Sequence, residues 1–145
     1  MNSAIPRKPT RLRVYWCVWM VLVAAAFVLR FTCFAGASEQ RLFGLATAYG
    51  LGTWLPLMAL NYIEGHRLNS HLKSHHRQQW DKINYIPLFG CVGHNGFRMV
   101  RWLYSKEDFG DPKVTELKTD YRYFMVFLLT VFFSFIIIMP VLLGL

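Results

Sequence analysis

The chain has 145 residues, of which 54% are apolar, and its mean hydropathy is positive. That balance is high for a soluble domain and ordinary for a short polytopic membrane protein. The net charge of +8 suits a polyanion, but Lys and Arg form no stripe with interleaved aromatics on a recognisable nucleic-acid module, so anionic lipid head groups explain it better than nucleic acid. No nucleophile–base pair and no paired carboxylates share a motif, so the expectation is a non-enzymatic protein without a cofactor.

The first segment, 1–63, opens with Arg7, Lys8, Arg11 and Arg13 and continues into the apolar stretch Val14–Ala35. Ala35-Gly36-Ala37 resembles a signal-peptide cleavage site, yet the stretch outlasts a usual h-region and Leu42–Ile63 follows almost at once. A retained transmembrane hairpin, about 14–35 and 42–63, uses the same residues. Arg30 is expected to snorkel to the head groups at the outer end. In the second stretch Ala46 precedes Gly50, and Ala48 precedes Gly52, by four residues. Small residues at that spacing permit close helix contact, with Ala24, Ala25 and Ala26 of the first helix or with a second copy. Pro56 is expected to kink the helix near its cytoplasmic end.

The polar connection 64–123 is basic and Gly-spotted, and is expected to lie on the membrane surface without a large core of its own. His71 and His75 fall on one face of a helix at the spacing used by helical metal sites, and with His76 they are the candidate metal ligands. Their spacing also resembles one histidine box of the membrane di-iron desaturases and hydroxylases. That family uses several boxes and only His94 lies beyond this one, so a di-iron centre is not expected. The plainer expectation is a solvated basic helix carrying Arg67, Lys73 and Arg77.

Between Trp80 and Gly96 the breakers Pro87, Gly90, Gly93 and Gly96 suggest a loop pressed against lipid or the bundle. Cys17, Cys33 and Cys91 make no metal-ligand pattern. Phe97–Tyr104 then reads as an amphipathic helix with Arg98 and Arg101 in one narrow sector and apolar residues around the rest. Arg98, Arg101, Trp102 and Tyr104 are accordingly the candidate lipid-interface residues. Asp111-Pro112 supplies an N-cap and a first-turn proline for a polar helix, Lys113–Tyr123. That helix runs into the third apolar segment, 124–145, which contains no Asp, Glu, Lys, Arg or His.

Four basic residues precede the first span and ten lie in the long connection, whereas the Gly36–Arg41 turn holds only Arg41. The positive-inside rule then places the N-terminus and the connection in the cytoplasm and the C-terminus on the opposite side. The expected fold is an all-α membrane protein of three transmembrane helices, with a cytoplasmic amphipathic segment between the second and third.

Over roughly the last eighty residues, the order of features is an apolar span, Trp80 with an apolar Pro/Gly loop, Arg98…Arg101-Trp102-Leu103-Tyr104, an acidic turn, a charged helix with Leu117 and Arg122, and a terminal span. This order resembles universal stress protein B and similar small bacterial inner-membrane proteins. The resemblance implies a stress-associated protein of the cell inner membrane. The first span and the histidine-rich stretch depart from that pattern. The functional expectation is action through anionic lipid head groups, a membrane-protein partner or a second copy, and not through nucleic acid. A small oligomeric transporter or channel is one alternative, and a metal-dependent membrane enzyme using the histidines is another.

Overall fold

The computed structural model describes residues 10–86, 91–92 and 96–145. Arg7, Lys8, Pro87, Gly90, Gly93 and His94 lie outside the described residues, so the expectations that involve them stop at the sequence. The elements are α1 (Thr10–Thr32), α2 (Glu39–His75), α3 (Arg77–Asn84), β1 (Tyr85–Ile86), β2 (Cys91–Val92), α4 (Gly96–Leu103) and α5 (Pro112–Leu143). β1 and β2 pair antiparallel, Tyr85 opposite Val92 and Ile86 opposite Cys91.

Three of these helices, α1, α2 and α5, are long and apolar enough to cross a membrane. Their outward faces carry Val21 at 66%, Leu55 at 63% and Ile137 at 69% exposure. Large aliphatic side chains held outward along three helices form a surface suited to lipid rather than water.

The helix boundaries differ from those the apolar runs suggest. α1 ends at Thr32, where the amides of Cys33 and Phe34 both donate to the Leu29 carbonyl, at 3.0 Å each. Arg30 closes that end by donating from Nη1 to the Phe34 carbonyl at 3.2 Å. α2 does not stop near Ile63 but continues to His75 as one helix of 37 residues, with Pro56 inside it. Glu64–His75 is thus its polar extension and not a separate basic helix. α5 begins at Pro112, where the Asp111 carboxylate accepts the Lys113 amide at 2.8 Å, as an N-cap does. It ends at Leu143, and the positive φ of Gly144, 80°, lets the Leu145 amide reach the Pro140 carbonyl at 3.0 Å.

The chain forms two compact units, residues 1–60 with 125–145, and residues 61–124. In the first, Ala26 of α1 meets Ala46 and Tyr49 of α2 and Ile138 and Leu142 of α5 in one buried cluster. Aromatic contacts extend it, Trp16 with Phe127 at 5.0 Å and Tyr49 with Phe135 at 5.4 Å between ring centroids. Trp19 and Thr53 flank the Tyr49 hydroxyl, yet the Trp19 indole nitrogen and the Tyr49 and Thr53 hydroxyls complete no hydrogen bond. An apolar cleft of about 410 Å³ opens beside them, between Trp19, Leu22, Gly52, Pro56 and Phe127.

In the second unit, Leu68, Leu72, Met99, Trp102, Leu103, Val114 and Phe124 are buried. This is a core of its own where the sequence suggests a surface loop. α2 and α5 meet here as well, with Gly65 under the Tyr121 ring and the Tyr121 hydroxyl donating to Asn61 Oδ1 at 3.2 Å.

The small residues of α2 divide between two situations. Ala46 is 1% exposed in the cluster, whereas a Cβ placed on Gly50 or Gly52 would meet nothing within 4 Å. Close contact within the chain therefore accounts for Ala46 and not for the glycines. Gly50→Ala should stabilise the protein by about 0.5–1 kcal/mol, because helical glycine carries extra backbone freedom and no neighbour blocks the methyl. Thermal denaturation in detergent checks this, and a lowered midpoint would place another chain against that face.

Candidate functional site

The end of α2 carries Leu72 into the core of the second unit and leaves His71 beside it at the surface. On an unbroken helix His71 and His75 would share a face, and His76 would point elsewhere. The helix breaks at His76, whose φ of −132° and ψ of 48° are non-helical, and α3 starts at Arg77. The break brings the His76 ring round to the His71 side.

Asp111 arrives from the far end of the segment. His71 Nε2 lies 3.0 Å and His76 Nε2 2.9 Å from the same Asp111 oxygen, Oδ2. Asp111 Oδ1 is meanwhile committed to the Lys113 amide. Hydrogen bonds from His71 and His76, with that of the amide, hold the Asp111 carboxyl well below the usual carboxylate range. All three side chains are partly exposed, His71 at 19%, His76 at 21% and Asp111 at 23%.

The turn before Asp111 is strained. Phe109 has a φ of 58°, which a bulky residue rarely adopts, and such a conformation costs about 1–3 kcal/mol. Its ring is stacked on Trp102 at 5.7 Å and stands 5.5 Å from His76. Asp108 Oδ1 accepts the Gly110 amide at 3.1 Å, which tightens the same turn.

His75 does not join this cluster. Its ring stacks on His71 at 4.4 Å, while Nδ1 faces Ser74 Oγ at 2.8 Å. His66 stacks on Tyr62 instead. Cys17, Cys33 and Cys91 are free thiols. Asp111 belongs to the site although its sequence signal is that of a helix cap. The Asp-Pro pair marks the cap, and nothing local marks contact with histidines thirty-five and forty residues away.

The second feature is α4, and here the expectation for Trp102 is corrected. Trp102 is 5% exposed and packs under Phe109, so its ring is not available at head-group depth. The apolar part of the helix wheel is split. Met99, Trp102 and Leu103 turn into the core, while Phe97 is 93%, Val100 43% and Tyr104 57% exposed. Arg101 is exposed and falls in the same outward sector as Phe97, Val100 and Tyr104. Arg98 is exposed as well but reaches back, with Nη1 3.4 Å from the Lys82 carbonyl and the guanidinium 6.0 Å from the Tyr85 ring centroid. Lys82, Arg98 and Arg101, with Gln79 and Glu107, line a cleft of about 490 Å³.

Two cations from α5 hold the end of α4. Lys118, 3% exposed, donates to the carbonyls of Glu107 at 2.7 Å and Ser105 at 3.1 Å, and stands 4.3 Å from the Trp102 ring centroid. Arg122 donates to the Leu103 carbonyl at 2.6 Å and the Ser105 carbonyl at 2.9 Å. The Leu103 carbonyl is one of the helix's last, left without a partner inside it, and Ser105 and Glu107 belong to the turn that follows, so the two side chains tie the end of α4 and its turn to α5.

Comparison with known proteins finds no matching family model, no matching curated protein and no matching solved structure.

Lys118→Met should strip the Ser105 and Glu107 carbonyls of a partner and cost about 1–3 kcal/mol. The expected readout is faster amide hydrogen exchange across residues 102–110 in detergent, with Lys106→Met, at an exposed position, as the neutral control. Equal exchange in both variants would count against the capping role.

Proposed function

We propose that the protein is a multi-pass protein of a cell inner membrane that engages anionic lipid head groups through α4. The N-terminus and residues 64–123 lie in the cytoplasm in this reading, and the C-terminus lies on the opposite side. The carrying observation is the outward sector of α4, where Phe97, Val100 and Tyr104 are exposed beside Arg101. Exposed apolar side chains bordered by guanidinium groups suit the boundary between acyl chains and phosphates. The three long apolar helices support membrane residence, and the excess of Lys and Arg in the connection supports its cytoplasmic side. Contact rather than catalysis is the mode of action proposed. Kinship with universal stress protein B, and with it a stress-associated role, belongs to the same proposal on the residue order alone.

Mechanistically, the apolar stripe supplies a salt-insensitive hold, and the basic cleft selects charge. Each cation near an anionic surface contributes about 1 kcal/mol, so replacing Arg98 and Arg101 by Gln should weaken anionic-lipid association by up to roughly thirtyfold. The preference should also shrink as salt rises. Protein reconstituted with spin-labelled anionic and zwitterionic lipids measures it directly. Equal association of both lipids with the wild-type chain would remove the lipid reading and turn this face over to a protein partner.

The orientation has its own test. Single cysteines at Ser70 and Ser105 in a Cys-free background should label only from the cytoplasm, and one at Ser38 only from outside. External labelling at Ser105 would overturn the proposed topology.

A further inference from the structure

We propose that His71, His76 and Asp111 form a binding site for a single divalent first-row metal ion of the zinc class. One ligand atom from each residue lies within 4.8 Å of the other two. Both imidazole Nε2 atoms are aimed at one oxygen, Asp111 Oδ2, at 3.0 and 2.9 Å. Around tetrahedral zinc, with bonds of about 2.0–2.2 Å, neighbouring ligand atoms stand roughly 3.3 Å apart. Each nitrogen therefore needs to draw back from Asp111 Oδ2 by only a few tenths of an ångström for an ion to replace the two hydrogen bonds, and the two nitrogens already lie within 4.8 Å of each other.

The donor set is two imidazole nitrogens and one carboxylate oxygen, with no thiolate, which suits zinc and its first-row neighbours. Each ligand is already oriented by something else. Asp111 Oδ1 is held by the Lys113 amide, which leaves Oδ2 as a single ligand atom. His71 is stacked on His75, and Phe109 stands against His76. Such supporting contacts fix the ligands before the ion arrives. Partial exposure of all three side chains leaves the ion reachable from water and a fourth position open for water or an exogenous ligand.

A purely structural role for the cluster, two imidazoles donating to a helix cap, predicts no stoichiometric ion. The test uses tag-free full-length protein in detergent, stripped with chelator and dialysed against zinc, with metal per chain measured by atomic spectroscopy. Cobalt(II) provides a second readout through its ligand-field absorption. One ion per chain is expected. Loss of a supporting group changes metal affinity about 10–100-fold, so removal of a ligand by His71→Ala or His76→Ala should weaken binding by more than about a hundredfold.

Asp111→Asn separates binding from folding, because an Asn side-chain oxygen still caps α5 while the anionic ligand is gone. It should lose zinc and the cobalt spectrum with unchanged far-ultraviolet circular dichroism. His75→Ala should weaken binding by no more than the roughly 10–100-fold of a lost supporting group, less than either ligand substitution, and should keep the cobalt spectrum. Failure of the wild-type chain to retain zinc would overturn the proposal. So would loss at His75 equal to that at His71 with Asp111→Asn unaffected, since the ion would then sit on the α2 histidine pair.

Discussion

Away from water, an unpaired backbone amide or carbonyl costs several kcal/mol, so a segment with lipid-type surface keeps its hydrogen-bond ladder or is not stable there. α2 and α5 obey that constraint and then overshoot it. With 37 and 32 residues they rise about 55 and 48 Å at 1.5 Å per residue, against a hydrocarbon core of about 30 Å. The ladder does not stop where the apolar side chains do. Asn61 to His75 on α2 and Pro112 to Phe124 on α5 are the same two helices carrying polar sequence, and they supply much of the second unit. Sixty-odd residues that look too polar to organise themselves gain two preformed helices, with α3 and α4 packed against each other in the same unit. The nucleation penalty that makes short isolated helices marginal is already met for these two.

The same logic explains where the charges go. α4 is eight residues long, so half or more of its backbone groups have no partner within the helix. Arg122 on α5 answers one of them, the Leu103 carbonyl, while Lys118, also on α5, binds the carbonyls of Ser105 and Glu107 in the turn that follows and rests on Trp102. A buried ammonium is expensive unless carbonyl oxygens and an aromatic face replace its water, and here both do. At the other end of the loop, Asp111 divides its two oxygens between a helix amide and two imidazoles. The unit is tied together by charged groups that complete backbone valences, alongside an aliphatic core around Leu72, Leu103 and Val114.

How much was legible follows from the range of each signal. The three long helices were visible because hydropathy accumulates over a window of twenty residues and needs no knowledge of neighbours. Asp111-Pro112 marked the start of α5 for an equally local reason. The end of α2 was not visible, since Glu64–His75 contains no Pro, and its one Gly, Gly65, is accommodated under Tyr121. The break at His76 was hidden in the same way: Ser74-His75-His76-Arg77-Gln78 holds no breaker, so periodicity pairs His71 with His75. The fold keeps His71 stacked on His75 but turns its Nε2, together with that of His76, onto Asp111. Trp102 was misplaced because a helix wheel shows that most of α4 is apolar but not which part of that surface α5 and Phe109 will cover. Contact with Asp111 spans some forty residues and leaves no periodic trace.

These errors share a cause that bears on the site. A wheel assumes an unbroken helix, and the cluster exists because the helix is broken: at His76 the chain leaves α2, and at Phe109 it enters the left-handed region just before Asp111. Two departures from regular backbone, one on each side of the cluster, bring three side chains from separate turns to one point. Neither departure helps either helix, since one ends α2 and the other places a large aromatic residue at a positive φ. Stacking of Phe109 on Trp102 offsets part of that strain, and the hydrogen bonds at Asp111 add to the offset. Strain that persists because the surroundings over-determine it is the usual mark of a place where geometry matters more than stability. The outward sector of α4 shows the opposite economy. Phe97 and Val100 sit on regular helix and Tyr104 just past its end, and these exposed side chains require only a surface to lie against.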